Sequence, residues 1–194
     1  MSEIIPIVDS GDKIVGYRDR GSITKKDIYR ISALWLVNSK KEVLLAQRSF
    51  NKMHSPGKWG PAVAGTVAKG ENYLENIIKE TEEEIGIKLG KVNELSYNKT
   101  KRDSVQIYQT ENDVPYNFFL GPKVFTDTNW SFFCQWYFLF ADISLKNFVF
   151  PRDEVAQLKW VKIEDFENDL RHHPEKYTST MNKHYNELNN FLKQ

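Results

Sequence analysis

Residues 65–87 read GTVAKGENYLENIIKETEEEIGI. A glycine stands six residues ahead of Glu71, an acid-rich run carries Glu80, Glu83 and Glu84, and Gly86 closes the stretch. Wound at about 100° per residue, Leu74, Ile77, Ile78, Thr81 and Ile85 gather on one face, which predicts a helix with a core-facing stripe. Glu80, Glu83 and Glu84 stand at i, i+3 and i+4 and share another face. Carboxylates at that spacing repel one another. A hard divalent cation, Mg²⁺ or Mn²⁺, relieves the repulsion because carboxylate oxygens are its preferred ligands. The bland alternative is a solvated acidic face, softened by Glu75–Lys79 and Lys79–Glu83 pairs.

The full spacing decides between them. It resembles the Nudix box: glycine, five residues, Glu, seven residues, then Arg-Glu-apolar-x-Glu-Glu-x-Gly-apolar. Gly65, Glu71, Glu80, Glu83, Glu84, Gly86 and Ile87 match it. Lys79 stands where the family has Arg and keeps the charge without the planar two-pronged grip. Thr81 replaces an aliphatic residue, so its hydroxyl needs a partner, for which a carbonyl one turn back is available. The resemblance implies a single domain over 1–194 of α/β class, a Nudix-type α/β/α sandwich with a mixed β-sheet. To that core it adds an N-terminal hairpin, an insertion near 99–129 and a C-terminal helix.

Composition agrees with an enzyme domain. The 194 residues carry 27 Lys and Arg against 26 Asp and Glu, a net charge of +1, so no dedicated nucleic-acid or membrane surface is indicated. The lone Cys134 sits in an apolar run and reads as a small buried thiol in a reducing compartment. The most apolar run, WSFFCQWYFLFA at 130–141, is too short to span a bilayer. No signal-peptide plan opens the chain. The expectation is a soluble cytoplasmic protein, monomer or homodimer, acting on a small-molecule diphosphate.

Hydrophobic alternation and turn residues predict strands near 4–8 and 13–18 around a Gly11-Asp12 turn, then 28–38, a Ser39-Lys40-Lys41 turn, and 42–47. Further strands are predicted at 61–67, 91–98, 104–109, 115–120, 131–142 and 156–161. One helix begins near Ile163, and another within 178–192 carries Met181, Tyr185, Leu188 and Leu192 on one face. His54, His172, His173 and His184 lack metal-ligand spacing and read as surface residues.

Arg48 and Lys52 lie in QRSFNKMHSPGKW just past a strand end, where open sheets present ligand-binding loops, and two cations there suit a diphosphate. Lys58 is a weaker candidate. This segment, the box, and PRDEVAQLKWVKIEDF at 151–166 together resemble the branch containing type I isopentenyl-diphosphate isomerases, in which the residues matching Arg48 and Lys52 grip the diphosphate. The isomerases' Cys and His beside the box glycine are here Ala64 and Thr66, and their upstream His is Tyr29. The resemblance therefore implies a hydrolase of the pyrophosphate bond in a nucleoside diphosphate linked to another moiety, with an isomerase-like protein or a non-catalytic nucleotide sensor as alternatives. Glu80 and Glu84 would bind Mg²⁺ or Mn²⁺, with the Gly65 carbonyl as a further ligand. Glu83, or a carboxylate of the insertion (Glu111, Asp113 or Asp127), would activate water.

Overall fold

The computed structural model describes residues 3–89, 104–108 and 115–193, the backbone alone for 104–108 and for Pro115. The strand expected near 91–98, and Glu111 and Asp113, lie outside the described residues. Strands β1 (Ile4–Val8) and β2 (Ile14–Asp19) form the antiparallel N-terminal hairpin. Its turn is held by Asp9, whose carboxylate accepts from the Gly11 and Lys13 amides at 2.8 and 3.0 Å. Asp12 sits there in the left-handed region, at φ 62°, which its short polar side chain tolerates. That side chain is buried and accepts from Arg30 Nε at 2.7 Å and Lys123 Nζ at 2.6 Å, tying the hairpin to the sheet.

The sheet is built around β3 (Ile28–Val37), with β4 (Glu42–Arg48) and β10 (Val155–Lys162) on one side and β9 (Ser131–Phe140), β8 (Pro115–Asp127) and β7 (Ser104–Tyr108) on the other. β3 and β9 run parallel, while β4–β10 and β8–β9 are antiparallel, so the sheet is mixed as expected. A two-residue strand, β5 (Trp59–Gly60), pairs with β4, and β6 (Val63–Thr66) lies antiparallel to β3 with Gly65 opposite Ser32. Successive side chains of a strand face opposite sides. Ala33, Trp35 and Val37 therefore enter one core, and Leu34 and Leu36 the other. Covered on both faces, β3 and β9 can be apolar throughout, which accounts for the unbroken runs ALWLV and WYFLF.

The predicted acidic helix is α1 (Tyr73–Ile85). Asn72 caps it, accepting from the Leu74 and Glu75 amides at 2.9 Å, while Glu75 accepts from the Asn72 amide at 2.8 Å. Gly86 ends it at φ 73°. Ile77, Thr81 and Ile85 are buried, with Leu74 and Ile78 at the margin of the same core. The Thr81 hydroxyl donates to the Ile77 carbonyl at 2.6 Å, one turn back.

On the opposite face lie α2 (Ile163–His172) and α3 (Met181–Leu192), which bring Phe166, Leu170, Met181, Tyr185, Leu188 and Phe191 against Trp35, Trp136 and Phe138. The aromatic strand residues are thus core on both faces. His184 departs from its expected surface position. On α3 it falls in the same stripe as Met181 and Leu188, it is buried, and its ring meets Trp136 edge-on at 4.8 Å. His54, His172 and His173 are exposed. Among the described residues no helix is long and apolar enough to cross a membrane.

Candidate active site

α1 packs against β6, and the contact is made at a glycine. A Cβ on Gly65 would lie 2.2 Å from the Glu80 carboxyl carbon and 2.5 Å from its Oε1. No side chain fits, and the carboxyl group of Glu80 rests against bare backbone. Four residues on, Glu84 Oε2 accepts from the Ala64 amide at 3.1 Å. Glu80 and Glu84 thus flank the same short strand, as helical i, i+4 spacing requires once that face of α1 is against it. The fully buried Asn76 braces Glu80. Its Nδ2 lies 3.1 Å from the Thr66 carbonyl, 3.0 Å from Glu71 Oε2 and 3.3 Å from Glu80 Oε1, and Ser32 donates to its Oδ1. Asn76 was not foreseen: within the sequence it lies beside the apolar stripe and is not an acid, so only packing reveals it.

Lys79 takes the box's basic position and donates to Glu71 Oε1 at 2.8 Å, with Glu80 Oε1 at 3.9 Å. Its hold is on the first glutamate of the box, which in turn accepts from the Ala68 amide at 3.1 Å and from Asn76. A single ammonium suffices for that one contact.

Burial pushes Glu80 up to about 7, opposed by Lys79 and reinforced by Glu83. Burial likewise pushes Glu84 up to about 8, reinforced by Glu80 and opposed by the Ala64 amide and Arg48. Two neighbouring half-buried carboxyl groups that both resist ionisation form an oxygen donor pair whose missing complement is positive charge. As hard oxygen donors they fit Mg²⁺ or Mn²⁺. Among the described residues no cluster of three or more His, Cys, Asp or Glu is arranged to hold a metal.

Beside this pair opens a cavity of about 670 Å³. Gly65, Glu84 and Arg48 line it together, joining β6, α1 and β4. Arg48 Nε donates to the His54 carbonyl at 3.0 Å, which fastens the following loop. Lys52 is not among the lining residues; its ammonium is paired with Glu154, which is. Lys58 is spent on the Glu175 carbonyl. Glu83 is exposed and outside the lining, although its charge is felt by Glu80. Asp127 is exposed, accepts from Ser131 Oγ at 2.7 Å and also stands outside. Cys134 is buried, as its apolar run implied, and burial raises its thiol.

The remaining walls were not foreseen. Arg20 and Gly21 come from the short turn after β2, Tyr29 and Ile31 from β3, and Trp130 and Phe132 from the start of β9; Glu154 precedes β10, and Thr178 to Thr180 and His184 come from the approach to α3 and its first turns. Of these, only Tyr29, at the isomerase His position, and Glu154, within PRDEVAQLKWVKIEDF, belong to stretches that carry the resemblance, and only the parallel pairing of β3 with β9 sets Tyr29 beside Phe132, rings 5.7 Å apart. Ala64 and Thr66 also line the cavity, so no acid or imidazole stands at the isomerase positions.

Comparison with known proteins gives the family and the fold. The NUDIX domain model matches residues 28–182. An isopentenyl-diphosphate Delta-isomerase of Serratia proteamaculans is 28% identical over 100 residues, 50% of this chain and 56% of that protein. A prenyl-diphosphate phosphatase of Methanosarcina mazei is 39% identical over 85 residues, 43% of this chain and 49% of that protein. The aligned parts thus span about half the length of each. The crystal structure of DR0079 from Deinococcus radiodurans superposes with a TM-score of 0.71 at 18% identity, covering 95% of this chain and 98% of that one, and so shares the fold. With the domain model spanning most of the chain, this protein belongs to the NUDIX family.

Proposed function

We propose that this protein hydrolyses the pyrophosphate bond of a nucleoside diphosphate linked to another moiety, with Mg²⁺ or Mn²⁺. The observation that carries the reading is that α1 sets Glu80 against Gly65 and Glu84 against the Ala64 amide, while Gly65, Glu84 and Arg48 line one cavity. Glu80 and Glu84, with the Gly65 carbonyl, would hold the ion. Bound there, it lowers the pKa of water and screens the phosphate charge. Arg48 neutralises oxygens of the diphosphate as the bridging bond breaks, and Lys52 adds charge from the rim. Glu83, exposed beside the pair, is the carboxylate of the box that the resemblance assigns to the attacking water. Tyr29, Trp130 and Phe132 line the cavity and would meet the group beyond the phosphates.

A second reading, hydrolysis of a hydrocarbon diphosphate, is favoured by the apolar stretch of Tyr29, Ile31 and Phe132 and by the name of the Methanosarcina relative. One panel separates the readings: ADP-ribose, dinucleoside polyphosphates, prenyl diphosphates and isopentenyl diphosphate, each with Mg²⁺ and with EDTA. Turnover of a nucleotide, abolished by EDTA, is the expected result. Release of phosphate from prenyl diphosphates alone would favour the second reading. Dimethylallyl diphosphate formed from isopentenyl diphosphate, or no turnover at all, would overturn both.

A further inference from the structure

Among the described residues, buried side-chain polar atoms without a hydrogen-bond partner are Trp35 Nε1, Thr126 Oγ1, Trp136 Nε1 and His184 Nε2. A buried polar atom left unpaired costs stability, and each one asks for a physical reason. The two tryptophans and Thr126 do not border the cavity, whereas His184 is one of its lining residues. His184 stands at the inner end. It is 9% exposed and shares the lining with Ala33 and Cys134, each 1% exposed, while the exposed Arg20 and Met53 mark the mouth.

The backbone that carries the ring is fixed: the Thr178 amide donates to the Trp59 carbonyl at 3.0 Å, and the His184 amide to the Thr180 carbonyl at 3.0 Å. The ring itself is held lightly. Its Nδ1 lies 3.4 Å from the Thr180 hydroxyl, a long contact, and Trp136 meets it edge-on. A turn about the Cβ–Cγ bond therefore gives up one weak bond and can present Nε2 to an occupant of the cavity. Burial pulls the His184 pKa down to about 4, so the ring is neutral at pH 7 and is not a further cation for the diphosphate. A neutral imidazole has one donor and one acceptor nitrogen, which is the pair of functions that a hydroxyl group matches.

We propose that His184 is a specificity-determining residue, whose Nε2 hydrogen-bonds a hydroxyl on the group beyond the diphosphate, so that the substrate carries a sugar or similarly hydroxylated group there. The inference rests on the pyrophosphohydrolase reading above and narrows it. A hydrocarbon tail in the same place would leave Nε2 unpaired, and a site built to bond a substrate hydroxyl discriminates against analogues that lack it. Thr180, also in the lining, adds a hydroxyl beside the ring.

The test uses the whole chain with Mg²⁺ and ADP-ribose, or a dinucleoside polyphosphate if that is turned over faster. Isopentenyl diphosphate serves as a competitor whose tail carries no oxygen. His184→Phe keeps a ring and removes both nitrogens; KM for the nucleotide should rise about tenfold, with kcat within about threefold of the parent. Inhibition by isopentenyl diphosphate should be unchanged. His184→Gln, whose amide can donate and accept, should keep KM within about threefold. A second measurement needs no variant in the bound state: the Nε2 resonance of His184 in nitrogen-15 spectra, identified by its absence in His184→Gln, should move when ribose 5-phosphate and Mg²⁺ are added. An unmoved resonance, or an unchanged KM in folded His184→Phe, overturns this assignment alone. Equal weakening of the nucleotide and of isopentenyl diphosphate would show that the ring only shapes the cavity, and overturns it too. A parent inactive on every nucleotide overturns the reading beneath it.

Discussion

Gly65 is the position where one methyl group would do most damage. A Cβ there would stand 2.2 Å from the Glu80 carboxyl carbon, so the carboxylate must swing away while the rest of α1 stays seated. Gly65→Ala should therefore fold, with a melting temperature within a few degrees of the parent, and lose about 100-fold in kcat, since a misplacement on the order of 1 Å is enough for that. Full activity in this variant would show that Glu80 need not rest on the strand. Glu84→Gln tests the other half of the pair. Burial holds the Glu84 carboxyl up at about 8, so a neutral amide relieves a strain and keeps an oxygen for the Ala64 amide. The expected outcome is a loss of about 100-fold in kcat, about 3 kcal/mol, with thermal stability in EDTA equal to the parent's or higher. A protein that retained full activity in Mg²⁺ would remove Glu84 from the site. At this scale the sequence was informative about identity: helical spacing grouped the glutamates, and the resemblance to the Nudix box named them and the glycine as a site. It was silent about Asn76, a buried amide whose role depends on four partners, three of them outside its own helix.

Among the elements, α1 was the most legible. Its stripe, its acidic face and its stop at Gly86 follow from helical periodicity and from the left-handed conformation glycine alone adopts freely. The stop is also a packing site, since a Cβ on Gly86 would lie 2.4 Å from the Val149 carbonyl oxygen. Gly86→Ala should cost about 2 kcal/mol or more in a urea titration, combining the left-handed backbone with that overlap. A loss under about 0.5 kcal/mol would mean that the chain after the helix yields easily. The strands came out within a residue or two of expectation for β1, β3, β4 and β10, where alternation or an apolar run is bounded by turn residues. β5 was missed because two residues have no period to read. The C-terminal helix, expected within 178–192 behind a Thr/Ser cap, begins at Met181 with Thr180 in the cap position, although Thr180 makes no side-chain capping bond.

The whole molecule decides the fate of His184. Helical spacing puts it in the apolar stripe of α3, and the sheet below puts Trp136 against its ring. Burial pulls its pKa from 6.5 down to about 4, with Lys183 adding to the effect. The neutral form is the one that folds, so its contribution is full above pH 6.5 and is lost as the pH falls toward about 4. Across that window the parent should lose up to about 3 kcal/mol more stability than His184→Gln, measured by urea unfolding at each pH. Parallel pH profiles for the two proteins would show that the imidazole is not buried in solution. The same assembly collects the cavity. Arg20, Arg48, Gly65, Glu84, Trp130, Glu154 and His184 are spread over most of the chain and meet only because β3 pairs with β6 and β9 while β4 pairs with β10. By itself, then, the sequence determined what depends on neighbours within two helical turns or one strand: the acidic helix, its caps of charge and glycine, the alternating cores, and the family those residues mark. Only the tertiary structure decided which cation faces the glutamates, that Lys52 is paired with Glu154, and that a histidine lies in the core, because contacts between distant segments are set by strand order and packing, which no local period encodes.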